Sequence, residues 1–272
     1  MIDYDNLFKK IPKIKKLLDD GSNSNLYHYT KPEKLLSIVS SETIRFSNAL
    51  YLNDKEEVTY SYKLIGSLIK EMPELNKQLF SKIQELFEQK YKNIVNGNDS
   101  YCSRYEYYTI SFSTDNDNLT LWNNYSKGQS YTGYNIGFCK KALINDMEKQ
   151  GFHNVYGNII YNRETQITIL KMIFDKWNKQ FEKIFASKAT PKNIEKQQNI
   201  MFELIDILSI ISLFFKNPFF KDEKEYRIIF ISHFSMNSSI QTKIFEKNGL
   251  FIPYIEYKFL KRVVSSVNIG PT

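Results

Sequence analysis

A pair of long helical repeats set among short strand-forming runs limits this chain's fold more than any other feature. Apolar residues recur at helical spacing through residues 164–185 and again through 194–215, with Ala189-Thr190-Pro191 between them. Two such segments, broken only by a short proline-containing stretch, read as a helical hairpin. Around them the period changes. Residues 27–29, 44–47, 105–112, 131–138, 155–161, 228–234, 243–246, 250–257 and 263–269 read as strands, and Lys247-Asn248-Gly249 closes a β-hairpin. Further helical patterns occupy 31–40, 73–95 and 140–149, and another runs from Asn53 or Asp54 through Tyr60, Leu64, Ile65 and Leu68. The expected architecture is therefore α+β: one domain over 1–272, with 164–216 inserted into it as a helical hairpin or lid.

Residues 1–20 place Leu7, Ile11, Ile14, Leu17 and Leu18 at helical spacing among five lysines, which suits a surface helix and lacks a signal peptide's continuous apolar core. No stretch is apolar for long enough to span a bilayer, so no membrane partner is expected. Cys102 and Cys139 match no metal or redox spacing, which points to a reducing, cytoplasmic compartment. The formal charge of +7 suits an anionic partner, but the lysines are scattered over several helices, as on a solvated basic surface.

Candidate functional positions begin with Leu26-Tyr27-His28-Tyr29-Thr30, which places one of three histidines at the end of a strand. Thr30 as N-cap with Glu33 at N3, and Pro32 in the first turn, predict a capping box opening the next helix. Asn53 or Asp54 caps a helix and stands near a ligand in the functional reading. Ser111 and Ser113 share one face of a strand, able to position a ribose or amide or simply to satisfy a strand end. Trp122 and Tyr125 share a helical face. Gly133 and Gly137 lie within a strand, where glycine marks close approach of a backbone or ligand. Glu225 and Arg227 share a face at the start of a late strand, either as a functional carboxylate with a nearby cation or as a structural ion pair. His28, Asp54, Glu57 and Glu225 form no local ligand motif for a divalent ion, so no metal is expected.

In order, Tyr27 to Thr30, Leu52-Asn53-Asp54 with Glu57, Ser111-Phe112-Ser113, Trp122 with Tyr125, Gly133 and Gly137, Glu225-Tyr226-Arg227 and Ile269-Gly270-Pro271 resemble the bacterial domain of unknown function 2971 family. That family more often has Trp where this chain has Tyr226. More remotely, the leading His-Tyr-Thr and its helix are similar to the opening of the ADP-ribosyltransferase fold, particularly its DNA-modifying toxin branch. The resemblance implies a split, bent mixed β-sheet core with flanking helices and NAD bound in its cleft. By position it implies that His28 contacts ribose, Ser111 or Ser113 supports the nicotinamide half, Trp122 or Tyr125 stacks, and Glu225 is the catalytic carboxylate. Tyr27, Tyr29, Thr30, Asn53, Asp54 and Arg227 would line the same cleft. Such chemistry passes through an oxocarbenium-like state that a carboxylate stabilises. The resemblance further implies a protein or nucleic-acid target, an inhibitory partner and a role in bacterial stress or phage defence. The alternative is a non-catalytic module binding a nucleotide or nucleic acid through the same cleft.

Overall fold

Nine strands form one sheet in the computed structural model, which describes residues 11–51, 55–95, 105–126, 133–152, 154–186, 190–233, 241–247 and 249–271. They are β1 (Asn25–Thr30), β2 (Thr43–Asn48), β3 (Tyr105–Ser113), β4 (Tyr134–Cys139), β5 (Asn154–Asn158), β6 (Glu225–His233), β7 (Lys243–Lys247), β8 (Leu250–Lys258) and β9 (Val264–Ile269). The sheet runs β7-β8-β2-β3-β1-β4-β9, with β6 also on β3 and β5 on β6, and it curls into a half-barrel. Every named strand pair is antiparallel. The expectation of a mixed sheet is corrected on this point. Even β5 and β6, separated by the long helical segment that could have served as a parallel crossover, run in opposite directions.

The chain's contacts separate into two compact units. Met1–Leu17, Asn53–Tyr101 and Ile160–Pro218 form one; Leu18–Leu52, Cys102–Ile159 and Phe219–Thr272 form the other, which contains the sheet. One face of that sheet is apolar because alternate residues of β1, β2, β3, β4, β6 and β8 are: Leu26, Ile44, Phe46, Tyr108, Ile110, Phe112, Ile136, Phe138, Tyr226, Ile228 and Tyr257 form a single buried cluster. Helix Lys140–Lys149 adds Leu143 and Met147, and helix Pro32–Ser41 packs Leu35 and Ile38 against it. The latter helix starts differently from the sequence expectation. Its N-cap is Lys31, with no side-chain cap, while Thr30 remains in β1 opposite Tyr134 and is buried. Pairing of β1 with β4 thus outcompetes the capping box, although Pro32 does take a first-turn position.

A buried ion pair ties the start of the second unit to the sheet. Lys140 Nζ lies 3.0 Å from Asp19 Oδ1, and the Tyr226 hydroxyl donates to Asp19 Oδ2 at 3.1 Å. Leu18 lies against β5: its carbonyl accepts from Asn158 Nδ2, and a Cβ added at Gly157 would sit 2.7 Å from Leu18 Cβ and 2.9 Å from its carbonyl oxygen. Only glycine fits there without displacing backbone.

The helical unit contains helices Lys55–Glu71, Lys77–Val95, Arg163–Phe185 and Pro191–Ser212. The last two start where the sequence signals them, with Asn162 and Thr190 as side-chain N-caps and Pro191 in the first turn. The two helices contact each other and also pack on the preceding pair: the Phe80 and Phe174 rings meet edge-on at 5.2 Å, and Asn76 bonds to Asn178 and Glu182. Gln166 is fully buried and saturated. Its amide donates to the carbonyls of Ile160 and Lys216, and its oxygen accepts from the Tyr60 hydroxyl. Among the described residues no helix is long and apolar enough to cross a membrane.

Two stability outcomes follow from these contacts. Gln166→Ala removes the partner of two buried carbonyls and lowers unfolding free energy by about 2 kcal/mol, read as a lower urea midpoint. Gly157→Ala forces a methyl against main chain and costs about 1–3 kcal/mol; an unchanged midpoint for either variant contradicts the packing described.

Candidate functional site

Along β3 every residue is buried or half-buried except Ser111. That exposure is unusual for the middle of a sheet, and the pairing explains it. On one side, β3 is matched to β6 along its whole length, from Tyr105 opposite His233 to Ser113 opposite Glu225. On the other, β2 pairs opposite Tyr108 and Thr109, whereas β1 meets β3 at Ser113. Two strands share one edge of β3, and Ser111 lies between their contacts.

Register then decides what Ser111 can reach. Ser111 stands opposite Arg227, and Ser113 opposite Glu225, so these four side chains share the face turned away from the apolar cluster. The Ser111 hydroxyl donates to Glu225 Oε1 at 2.6 Å. Arg227 donates to the same oxygen through Nε at 2.8 Å and Nη2 at 2.6 Å. Glu225 and Arg227 are only 5% and 3% exposed, so the ion pair is desolvated while its serine neighbour reaches solvent. Three short donors converging on one carboxylate oxygen hold that group as an oriented acceptor. Removing Arg227 alone would leave a buried charge uncompensated.

His28 reaches Ser111 from the other side. Strand alternation sets it on the Phe112 face, where the two rings meet edge-on at 5.9 Å. Its Nδ1 lies 3.3 Å from the Ser111 carbonyl oxygen, which can only accept, so Nδ1 carries the proton. Although the ring keeps partial solvent access, the protein packed around it disfavours the charged form and lowers its pKa; the Ser111 carbonyl opposes that shift. His28 and Glu225 therefore both bond to Ser111, one at its carbonyl and the other at its hydroxyl, from opposite faces of the sheet.

The remaining expected residues build the wall beside this opening. Ser113 donates to the Glu223 carbonyl and accepts from the Asp115 amide, satisfying a strand end. Tyr29 donates to the Asp115 carbonyl and accepts from the Asn118 amide; burial, the larger effect, pushes its phenol up to about 12. The Trp122 ring packs edge-on to Tyr29 at 4.6 Å, its indole donates to Asp117, and Tyr27 packs on the same small cluster. A Cβ at Gly270 would strike that indole at 2.8 Å, and one at Gly137 would strike Ser266 Oγ at 2.4 Å, which accounts for both glycines by close approach. Tyr125, half-exposed, donates to Glu223 Oε1 at 3.3 Å. Thr30 is buried in β1. Asn53 and Asp54 lie outside the described residues.

Sequence reasoning missed Glu223 and Asn118. Glu223 is buried and shares its hydrogen-bond network with both Ser113 and Tyr125; the signal was the alternation Glu223-Lys224-Glu225 before a strong strand. Lys224 between them has φ +45°, and its ammonium bonds to Asp115 at 2.8 Å, which holds that carboxyl below its ordinary range. Asn118 caps the turn at Leu119–Leu121 and donates to the Asp222 carbonyl. No group of three His, Cys, Asp or Glu suited to a metal occurs among the described residues.

Residues 121–228 match the family model described as Protein of unknown function (DUF2971). The matched span holds Trp122, Tyr125, Glu223, Glu225 and Arg227, while β1 and β3, which supply His28 and Ser111, precede it. No curated protein and no solved structure matches the chain.

The depressed His28 pKa has a direct consequence. The fold favours the neutral ring, so the stability His28 contributes is present above the ordinary pKa of 6.5 and falls away as pH drops through its lower folded value. Ring nitrogen NMR is expected to report the Nδ1–H tautomer at neutral pH and a titration midpoint below 6.5. A midpoint above it would contradict the burial and the hydrogen bond.

Proposed function

We propose that the chain is an NAD-dependent ADP-ribosyltransferase-like enzyme, acting in bacterial stress or defence as the resemblance implies. One observation carries the reading: a solvent-reached serine in the central strand is hydrogen-bonded at 2.6 Å to a buried carboxylate on the next strand. Cleavage of a nicotinamide glycosidic bond leaves positive charge on the ribose, and an oriented carboxylate beside an accessible hydroxyl suits that charge. In this reading Glu225 stabilises the developing cation, and Ser111 orients Glu225 and meets the substrate. His28, neutral and fixed through Nδ1, holds the strand bearing Ser111. Tyr29 and Trp122 keep the adjoining Asp115–Asn118 loop in place.

A second reading is a nucleotide-binding module without turnover. It is favoured by Arg227, whose two contacts neutralise the very oxygen that Ser111 also engages.

The two readings separate on incubation with labelled NAD together with cell protein, DNA and RNA. Nicotinamide release or label transfer is expected, falling by about 10²–10³-fold in Glu225→Gln while NAD affinity and the circular dichroism spectrum are kept and the thermal midpoint drops, because Arg227 loses its buried counter-charge. Saturable NAD binding without release supports the module instead. Folded protein that neither binds nor consumes NAD sinks the enzyme, and one that also binds no other nucleotide, DNA or RNA sinks the module.

A further inference from the structure

Among the described residues the sheet has three outer strands, and they are protected very differently. β7 carries Lys243, Glu246 and Lys247 along its five residues. β5 is overlain by Leu18, which lies too close to Gly157 for a Cβ and accepts a hydrogen bond from Asn158 Nδ2 at its carbonyl. β9 reads Val264-Ser265-Ser266-Val267-Asn268-Ile269 and contains no charge. It pairs with β4 on one side only, among the described residues. Its outward-facing alternate positions include Val267 at 47% and Ile269 at 68% exposure. Uncharged, exposed edge strands with apolar side chains are templates for strand addition, and proteins ordinarily block them by the devices seen on the other two edges.

The geometry points to a second copy of this chain as the occupant: we infer a two-fold homodimer in which β9 pairs antiparallel with β9. A two-fold axis through Val267 sets Val267 against itself, Ile269 against Ser265 and Asn268 against Ser266. Each pair joins residues of the same sheet face, as the pleat requires, and none opposes like charges. The same operation applied to β7 about Phe245 would set Lys243 against Lys247 and Ile244 against Glu246. The charge pattern therefore forbids self-pairing at one end of the sheet and permits it at the other. A polar or charged partner strand would gain nothing from Val267 and Ile269, whereas a second β9 covers both.

The test is sedimentation equilibrium of the full chain at micromolar concentrations, and it does not depend on any activity. The expected mass is twice the 32.2 kDa of the chain. Val267→Lys with Ile269→Lys, both exposed and thus tolerated by the fold, is expected to halve it with an unchanged circular dichroism spectrum. Ile244→Lys on β7 leaves the dimer intact. Wild-type protein that sediments as a monomer overturns the inference, as does a dimer that survives the β9 double substitution. Should the double variant misfold, Val267→Cys in a background with Cys102 and Cys139 replaced by Ser supplies the second measurement. Oxidation then gives a disulfide-linked pair if β9 faces itself, and none if it does not.

Discussion

Pairing of β3 with β6 sets the register on which the rest of the sheet unit depends. It joins Ser111 to Glu225 across 114 positions of sequence, and the same ladder decides which side chains share a face. A slip by one residue would turn Glu225 and Arg227 into the apolar cluster and bring Tyr226 and Ile228 out of it. That outcome is costly in both directions, since a charged pair would lose its mutual compensation and several aromatics would lose their packing. The apolar face thus fixes the polar one. The serine, the carboxylate and the guanidinium are aligned because Phe112, Tyr226 and Ile228 have to be buried.

The loop system around Tyr29 plays a complementary part. One phenol bonds to both the Asp115 carbonyl and the Asn118 amide, and Asn118 in turn caps the following turn and reaches the Asp222 carbonyl. The end of β3 and the entry to β6 are thereby held together by side chains where strand pairing ceases. Lys224, in a left-handed conformation that a lysine adopts only at a cost, sits in that junction and places Glu223 and Glu225 on successive turns of the network.

Much of this was legible in the sequence, and the exceptions share a cause. Helix and strand periods placed nearly every element, because the burial of one face is a local pattern: the hairpin helices, Lys140–Lys149 and the shared face of Glu225 and Arg227 all came from it. What periodicity does not contain is who pairs with whom. Thr30 looks like a cap until β4 is known to claim it, and the sheet looks mixed until β5 and β6 are seen to run oppositely. His28 and Glu225 each suggested a ligand contact, but alternation along β1 puts them on opposite faces with Ser111 between them, a relation that depends on the β1–β3 contact at Tyr27 and Ser113. Glu223 went unnoticed since its partners, Ser113 and Tyr125, are distant in sequence.

The interleaved order of the two units carries a consequence for how the chain is made. Segments alternate between the helical unit and the sheet unit along the sequence, and the sheet's last contribution is Phe219–Thr272. During synthesis β1 to β5 emerge before β6, so the long edge of β3 and the outer side of β4 wait until β6 and β9 have been made. Neither unit is a continuous stretch that could be cut out and produced alone. A nascent chain of this design has one edge of its central strand unpaired until β6 is made, which makes that interval the period when it is most open to misassembly.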